Sequence, residues 1–127
     1  MFIGEITIDV PELSLLLAVG VDIKKVERYV KNNDYSKHNQ NEIIDSFRKL
    51  IPEDVDGFYN STSKHYRYLY LKKYKGTRED IKTLYHELSH LIDDESEWRC
   101  FTKETEFKAY LQQALFTKID KTLIKGK

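Results

Sequence analysis

The sequence predicts an α+β domain, and three observations carry that prediction. The N-terminal stretch alternates apolar and polar residues, a tyrosine-rich stretch at His65 to Tyr74 does the same over part of its length, and the second half shows helical apolar spacing. Together they predict a small antiparallel sheet packed against helices. At 127 residues the chain is long enough to bury a real core and too short for two, so residues 1–127 are read as one domain.

Taken in order, Phe2 to Val10 places Ile6, Ile8 and Val10 on one side and Glu5, Thr7 and Asp9 on the other, as a half-buried strand does. Pro11 then reads as a helix start. Leu13, Leu16 and Leu17 have helical spacing, Gly20 breaks the run, and Ile23, Val26, Tyr29 and Val30 resume it to about Asn33. Two short helices hinged at a glycine invite a helix-turn-helix reading with Lys24, Lys25 and Arg28 turned towards DNA. Leu16 occupies the place where a small residue lets such helices approach, so a helical hairpin packed on the domain is the expectation.

Residues 32–41 are polar and turn-prone, with His38 on the surface. Asn41 to Ile51 is a helix striped by Ile43, Ile44, Phe47, Leu50 and Ile51, and Pro52 ends it. An acidic loop and a turn at 61–64 lead into the strand His65 to Tyr74. There Tyr66, Tyr68 and Tyr70 share one face and Arg67, Leu69 and Leu71 the other. As an edge strand it could pair with an extended peptide, and as an interior strand it would simply pack. The basic and aromatic run 64–75 also suits a single-strand nucleic-acid platform, but acids balance the chain and no RNA-binding motif is present.

Gly76 and Thr77 turn the chain into the most informative stretch, Ile81 to Asp93. Thr77 is the expected N-cap, with Glu79 and Asp80 in the first turn. Ile81, Leu84, Tyr85, Leu88, Leu91 and Ile92 form an apolar stripe turned away from His86 and His90. On a helix those histidines are one turn apart on a shared face, with Glu87 beside them: the HExxH pattern of zinc peptidases. The residue types suit the chemistry. Neutral imidazole is a good zinc ligand, zinc acidifies a bound water, and a neighbouring carboxylate takes the proton as that water attacks a carbonyl. Glu87 is the candidate base.

Composition narrows the alternatives. Twenty-one basic and 21 acidic residues leave zero formal net charge, so no global field favours nucleic acid or an anionic membrane. Cys100 is the only cysteine, no signal-peptide pattern opens the chain, and no stretch has the roughly 20 apolar residues of a membrane span. A cytoplasmic protein without membrane partners is expected.

A catalytic zinc needs a third protein ligand. Acids occur at Asp93, Asp94, Glu95 and Glu97, directly after the expected helix, and at Glu104 and Glu106, where a second amphipathic helix begins and runs to about Lys121. Asp93 and Ser96 stand where the metzincin pattern requires glycine and histidine, which excludes that pattern. Trp98 and Phe101 are expected to anchor the connection into the core, and Cys100 to be a small buried hydrophobe.

His86-Glu87-Leu88-Ser89-His90 followed by Glu106-Phe107-Lys108-Ala109 resembles the short gluzincin-type metallopeptidases of bacteria, phages and mobile elements, including the ImmA/IrrE group. The resemblance covers roughly residues 77–115, and it departs at Tyr110, where asparagine is usual, and at Ser89, where glycine is common. It implies a zincin-like fold with Zn2+ held by His86, His90 and Glu106, and Glu87 as general base. A tyrosine or histidine usually stabilises the oxyanion in such sites; Tyr66, His65 and Tyr110 are the candidates. The function implied is zinc-dependent hydrolysis of a protein or peptide substrate. The alternative is a catalytically silent scaffold that binds or regulates a partner, with DNA bound through a helix-turn-helix-like N-terminal region as one form of it.

Overall fold

The protein is described from a computed structural model that covers residues 1–9, 12–99 and 105–124. Four strands, β1 (Phe2–Asp9), β2 (Glu12–Val19), β3 (Gly57–Ser61) and β4 (Arg67–Leu71), form one mixed sheet in the order β1-β2-β4-β3. The two hairpin pairs, β1 with β2 and β3 with β4, are antiparallel, while β2 and β4 run parallel down the middle. Helices α1 (Ile23–Asn32) and α2 (Lys37–Leu50) cover one face, and α3 (Arg78–Trp98) and α4 (Thr105–Ile124) cover the other. The chain is thus two ββαα units on opposite faces of a shared sheet. A two-fold axis along the strands, between β2 and β4, would generate that arrangement.

Side-chain alternation builds the two cores. From β2, Leu13, Leu15, Leu17 and Val19 enter the core with α3 and α4, while Leu16 and Ala18 enter the core with α1 and α2. From β4, Leu69 and Leu71 join the first core and Tyr68 and Tyr70 the second. Both central strands are buried on both sides, so they carry apolar residues at successive positions.

That explains the main departure from expectation. Residues 13–19 form a strand, where leucine spacing predicted a helix, because an apolar run that must face two cores looks locally like a buried helix. With β2 before it, α1 has no helical partner upstream, and the helix-turn-helix pair is not formed. The sheet is mixed where a wholly antiparallel one was expected. The tyrosine strand lies between β2 and β3, and the edge facing α3 is β3. As expected, Tyr68 and Tyr70 face opposite to Leu69 and Leu71. His38 lies in the first turn of α2, capped by Ser36, and pairs with Glu42 at 3.0 Å.

Helix α3 starts where its cap predicts. Thr77 accepts from the Asp80 N–H and the Asp80 carboxylate reaches back to the Thr77 N–H, a complete capping box. Gly76, at φ +81, makes the preceding turn in a conformation that glycine reaches without strain. The helix continues to Trp98, so Asp93, Asp94, Glu95 and Glu97 lie within it, not after it. Leu84, Leu88 and Leu91 are fully buried, each contributing about 1.5–3 kcal/mol by leaving water. No described helix is long and apolar enough to cross a membrane.

Candidate metal centre on helix α3

The core stripe of α3 fixes what its other faces do. With Leu84, Leu88, Leu91 and Ile92 inward, His86 and His90 come out on the opposite, exposed face and Glu87 falls at the boundary beside β3. The two Nε2 atoms stand 3.3 Å apart with the rings nearly perpendicular. Two nitrogens each about 2.0–2.1 Å from a tetrahedral ion stand about 3.3–3.4 Å apart, so the pair spans two corners of a zinc site.

Glu87 is buried, at 7% exposure, and sits against the edge strand. Even-numbered backbone groups continue the β3–β4 ladder, with the Thr62 N–H reaching Tyr66 and the Lys72 N–H reaching Asp56. The Tyr59 N–H therefore points outwards, and it donates to Glu87. Burial raises the carboxyl's pKa above its ordinary value, with the histidines and the Tyr59 N–H pulling the other way. A carboxylate in that state is more basic than a solvated one, as a proton acceptor should be. Gly57 permits the close approach: a Cβ there would meet the Tyr70 carbonyl at 2.9 Å and the Thr83 methyl at 3.2 Å. Asp56, Gly57, Lys82, Thr83, His86 and Glu87 then line a hollow of about 290 Å3.

Glu106 does not join the histidines. It is exposed in the first turn of α4, and helical spacing puts it on the face of Tyr110, Gln113 and Thr117, which borders β1 at the far edge of the sheet. α3 meets a different face of α4, where Tyr85 stacks on Phe116 and its carbonyl accepts from Gln112. Among the described residues, no three His, Cys, Asp or Glu side chains converge as a metal cluster. Glu104, Cys100 and Phe101 lie outside the described residues. His86 and His90 thus fit zinc as two ligands, and the described residues supply no third.

The oxyanion candidates are scattered. Tyr110 is half-exposed on α4, beside Phe107. Tyr66 hydrogen-bonds Glu5 on the α1–α2 side of the sheet. His65 lies near the C-terminal end of α3, where sequence reasoning missed a second polar centre. There the fully buried Glu95 accepts from Arg67, from His65 Nε2 at 2.9 Å and from Arg99 at 2.7 Å. Burial alone would raise the Glu95 pKa, but these partners outweigh it and hold the carboxyl below its ordinary value. Tyr59 donates to the neighbouring Asp94 at 2.7 Å. Trp98, expected to be an internal anchor, is 63% exposed and stacks on the His65 ring at 4.1 Å. The left-handed backbone of His65, at φ +61, is held by these contacts. The only signal in the sequence was one unpaired acid on the apolar face of α3.

In comparisons with known proteins, no family model matches the chain, and no curated protein or solved structure matches it. The functional reading therefore rests on the chemistry of the site.

Proposed function

We propose that the protein is a zinc-dependent hydrolase of peptide bonds, in which His86 and His90 bind the metal and Glu87 is the general base. The observation that supports this most is the 3.3 Å approach of the two Nε2 atoms beside a buried carboxyl of raised pKa. Bound zinc would supply Lewis-acid polarisation and an acidified water. The chain's own residues do the rest. Glu87 accepts a proton and returns it to the leaving amine, and the hollow at Gly57 and Thr83 lets an extended peptide lie along β3. The likeness to gluzincin-type peptidases belongs to this proposal, and Glu106 enters it as the third ligand only if the start of α4 takes another position.

A second reading draws on a specific observation. Glu87 is engaged by the Tyr59 N–H, and only two histidines converge among the described residues. A two-histidine site of this kind suits a scaffold that grips metal or a partner without turnover.

Elemental analysis of the purified protein, with His86→Ala, Glu106→Ala and Glu87→Gln, distinguishes the readings. About one zinc per chain, lost in His86→Ala and retained in Glu87→Gln, together with peptide hydrolysis that Glu87→Gln abolishes, supports the hydrolase. Zinc without Glu87-dependent hydrolysis supports the silent scaffold. No zinc uptake by the wild type, even when zinc is offered, sinks the hydrolase and the metal-holding scaffold alike.

A further inference from the structure

On the opposite side of the sheet from α3, four distant segments meet. Tyr29 comes from α1, Tyr35 from the α1–α2 turn, Tyr66 from the approach to β4, and Glu5 from β1. The hydroxyls of Tyr35 and Tyr66 lie 3.2 Å apart, and both reach the same oxygen of Glu5, Oε1. The rings are walls, not a stack: Tyr35 and Tyr66 meet at 88° with centroids 5.1 Å apart, and Tyr29 and Tyr35 at 60° and 6.3 Å.

These side chains border a cavity of about 490 Å3. Its lining includes two carboxylates, Glu5 and Asp34, and no lysine, arginine or histidine. Among the described residues no cation pairs with Glu5, although all three tyrosines remain partly exposed. A purely structural latch would account for the phenol–carboxylate bonds. It would not account for an open cavity that three tyrosines border and whose only charged lining residues are carboxylates, the rest being neutral polar side chains.

Aromatic faces carry negative quadrupole potential, and a cation within about 6 Å of several ring centroids is attracted to all of them. Glu5 holds two of the rings in place through their hydroxyls, so the walls are set before a ligand arrives. Burial, together with the Glu5 charge, keeps the Tyr35 and Tyr66 phenols protonated far above their ordinary range. They therefore remain donors to Glu5 and add no charge of their own.

We propose that Tyr29, Tyr35 and Tyr66, with Glu5, form an aromatic cage that binds an organic ammonium cation, best a methylated quaternary one. A quaternary ammonium is weakly hydrated and has no N–H to satisfy, so ring faces and a nearby carboxylate suffice to hold it. The same head group occurs on a free small molecule such as choline and on a trimethylated lysine in a peptide.

The test is calorimetric titration of the full chain with choline, tetramethylammonium, a peptide carrying trimethyllysine, and 3,3-dimethylbutanol, the neutral carbon isostere of choline. Saturable binding of at least one ammonium is expected, with choline about tenfold or more tighter than its isostere. Glu5→Gln and Tyr35→Ala should each weaken binding about five- to tenfold, and His86→Ala should leave it unchanged. Binding of the peptide but not of choline supports the cage and identifies a modified protein as its source; the reverse identifies a small molecule. Failure of every ammonium to saturate, or equal binding of the neutral isostere, overturns the proposal. Because the isostere comparison uses the wild-type chain, it stands even if Tyr35→Ala does not fold.

Discussion

Glu87 and Glu95 lie on the same helix, about two turns apart, and their environments are opposite. Glu95 is fully sealed, and both its oxygens are taken by Arg67, His65 and Arg99; Arg67 and Arg99 also reach the Ser14 and Glu12 carbonyls of β2. Glu87 is nearly as buried but has one backbone N–H and two neighbouring imidazoles. Burial pushes both carboxyls towards protonation, and the partners decide the outcome: Glu95 ends below its ordinary pKa and Glu87 above. A carboxylate with every oxygen paired holds a structure together. One left basic beside open imidazoles is available for chemistry.

The largest effect that could break this contrast is on turnover. Glu87→Gln should lower hydrolysis of a responsive peptide by about 10²- to 10⁴-fold, the range for a lost general base. Its midpoint in urea should stay within about 1 kcal/mol of wild type, because a neutral amide is no worse in that setting than a desolvated carboxylate. If Glu87→Gln instead unfolds the protein, Glu87 is a structural group like Glu95 and the distinction fails.

Glu95→Ala should do the converse. Leaving Arg67 and His65 without their buried counter-charge should cost about 3–5 kcal/mol in urea unfolding. Zinc content measured below the transition should not change, and loss of zinc at full folding would tie the two centres together.

Acid sharpens the same comparison. The Glu95 carboxyl has a lower pKa folded than its ordinary value of 4.5, so below that value the unfolded chain binds a proton that the native state refuses. The Glu95 contribution is therefore complete above about pH 4.5 and lost as pH falls through the folded value. Melts of wild type against Glu95→Gln from pH 7 to pH 3 should converge on the acid side. A constant gap across that range would contradict the assignment.

The smallest effects concern what frames the two sites. Trp98→Ala removes the stack on His65 and should cost about 0.5–1.5 kcal/mol, and Thr77→Ala removes the helix cap for about 1 kcal/mol. Thermal melts measure both. A Trp98→Ala cost near that of Glu95→Ala would show that the exposed ring, not the ion pairs, holds His65.

Several features were legible because they are local. The cap at Thr77, the apolar stripe of α3 and the shared face of His86 and His90 all follow from 3.6 residues per turn, whatever the rest of the chain does. Alternation likewise revealed β1 and the two faces of β4. By contrast, the leucines of β2 satisfied helical and strand patterns alike, and only the presence of a core on each side of the sheet made them a strand.

The sequence by itself thus determined the histidine pair and its neighbouring acid, since residues one helical turn apart meet by backbone geometry alone. Tertiary structure decided the rest. Glu87 meets the Tyr59 N–H because β3 is the sheet edge beside α3, and Glu106 stays apart from the histidines because α4 packs its Gln112–Phe116 side on that helix. Glu95 became a buried ion-pair hub, and Glu5 met Tyr35 and Tyr66, through partners distant in the chain. Such contacts leave no periodic trace, because they depend on how whole elements pack and not on the spacing within any one of them.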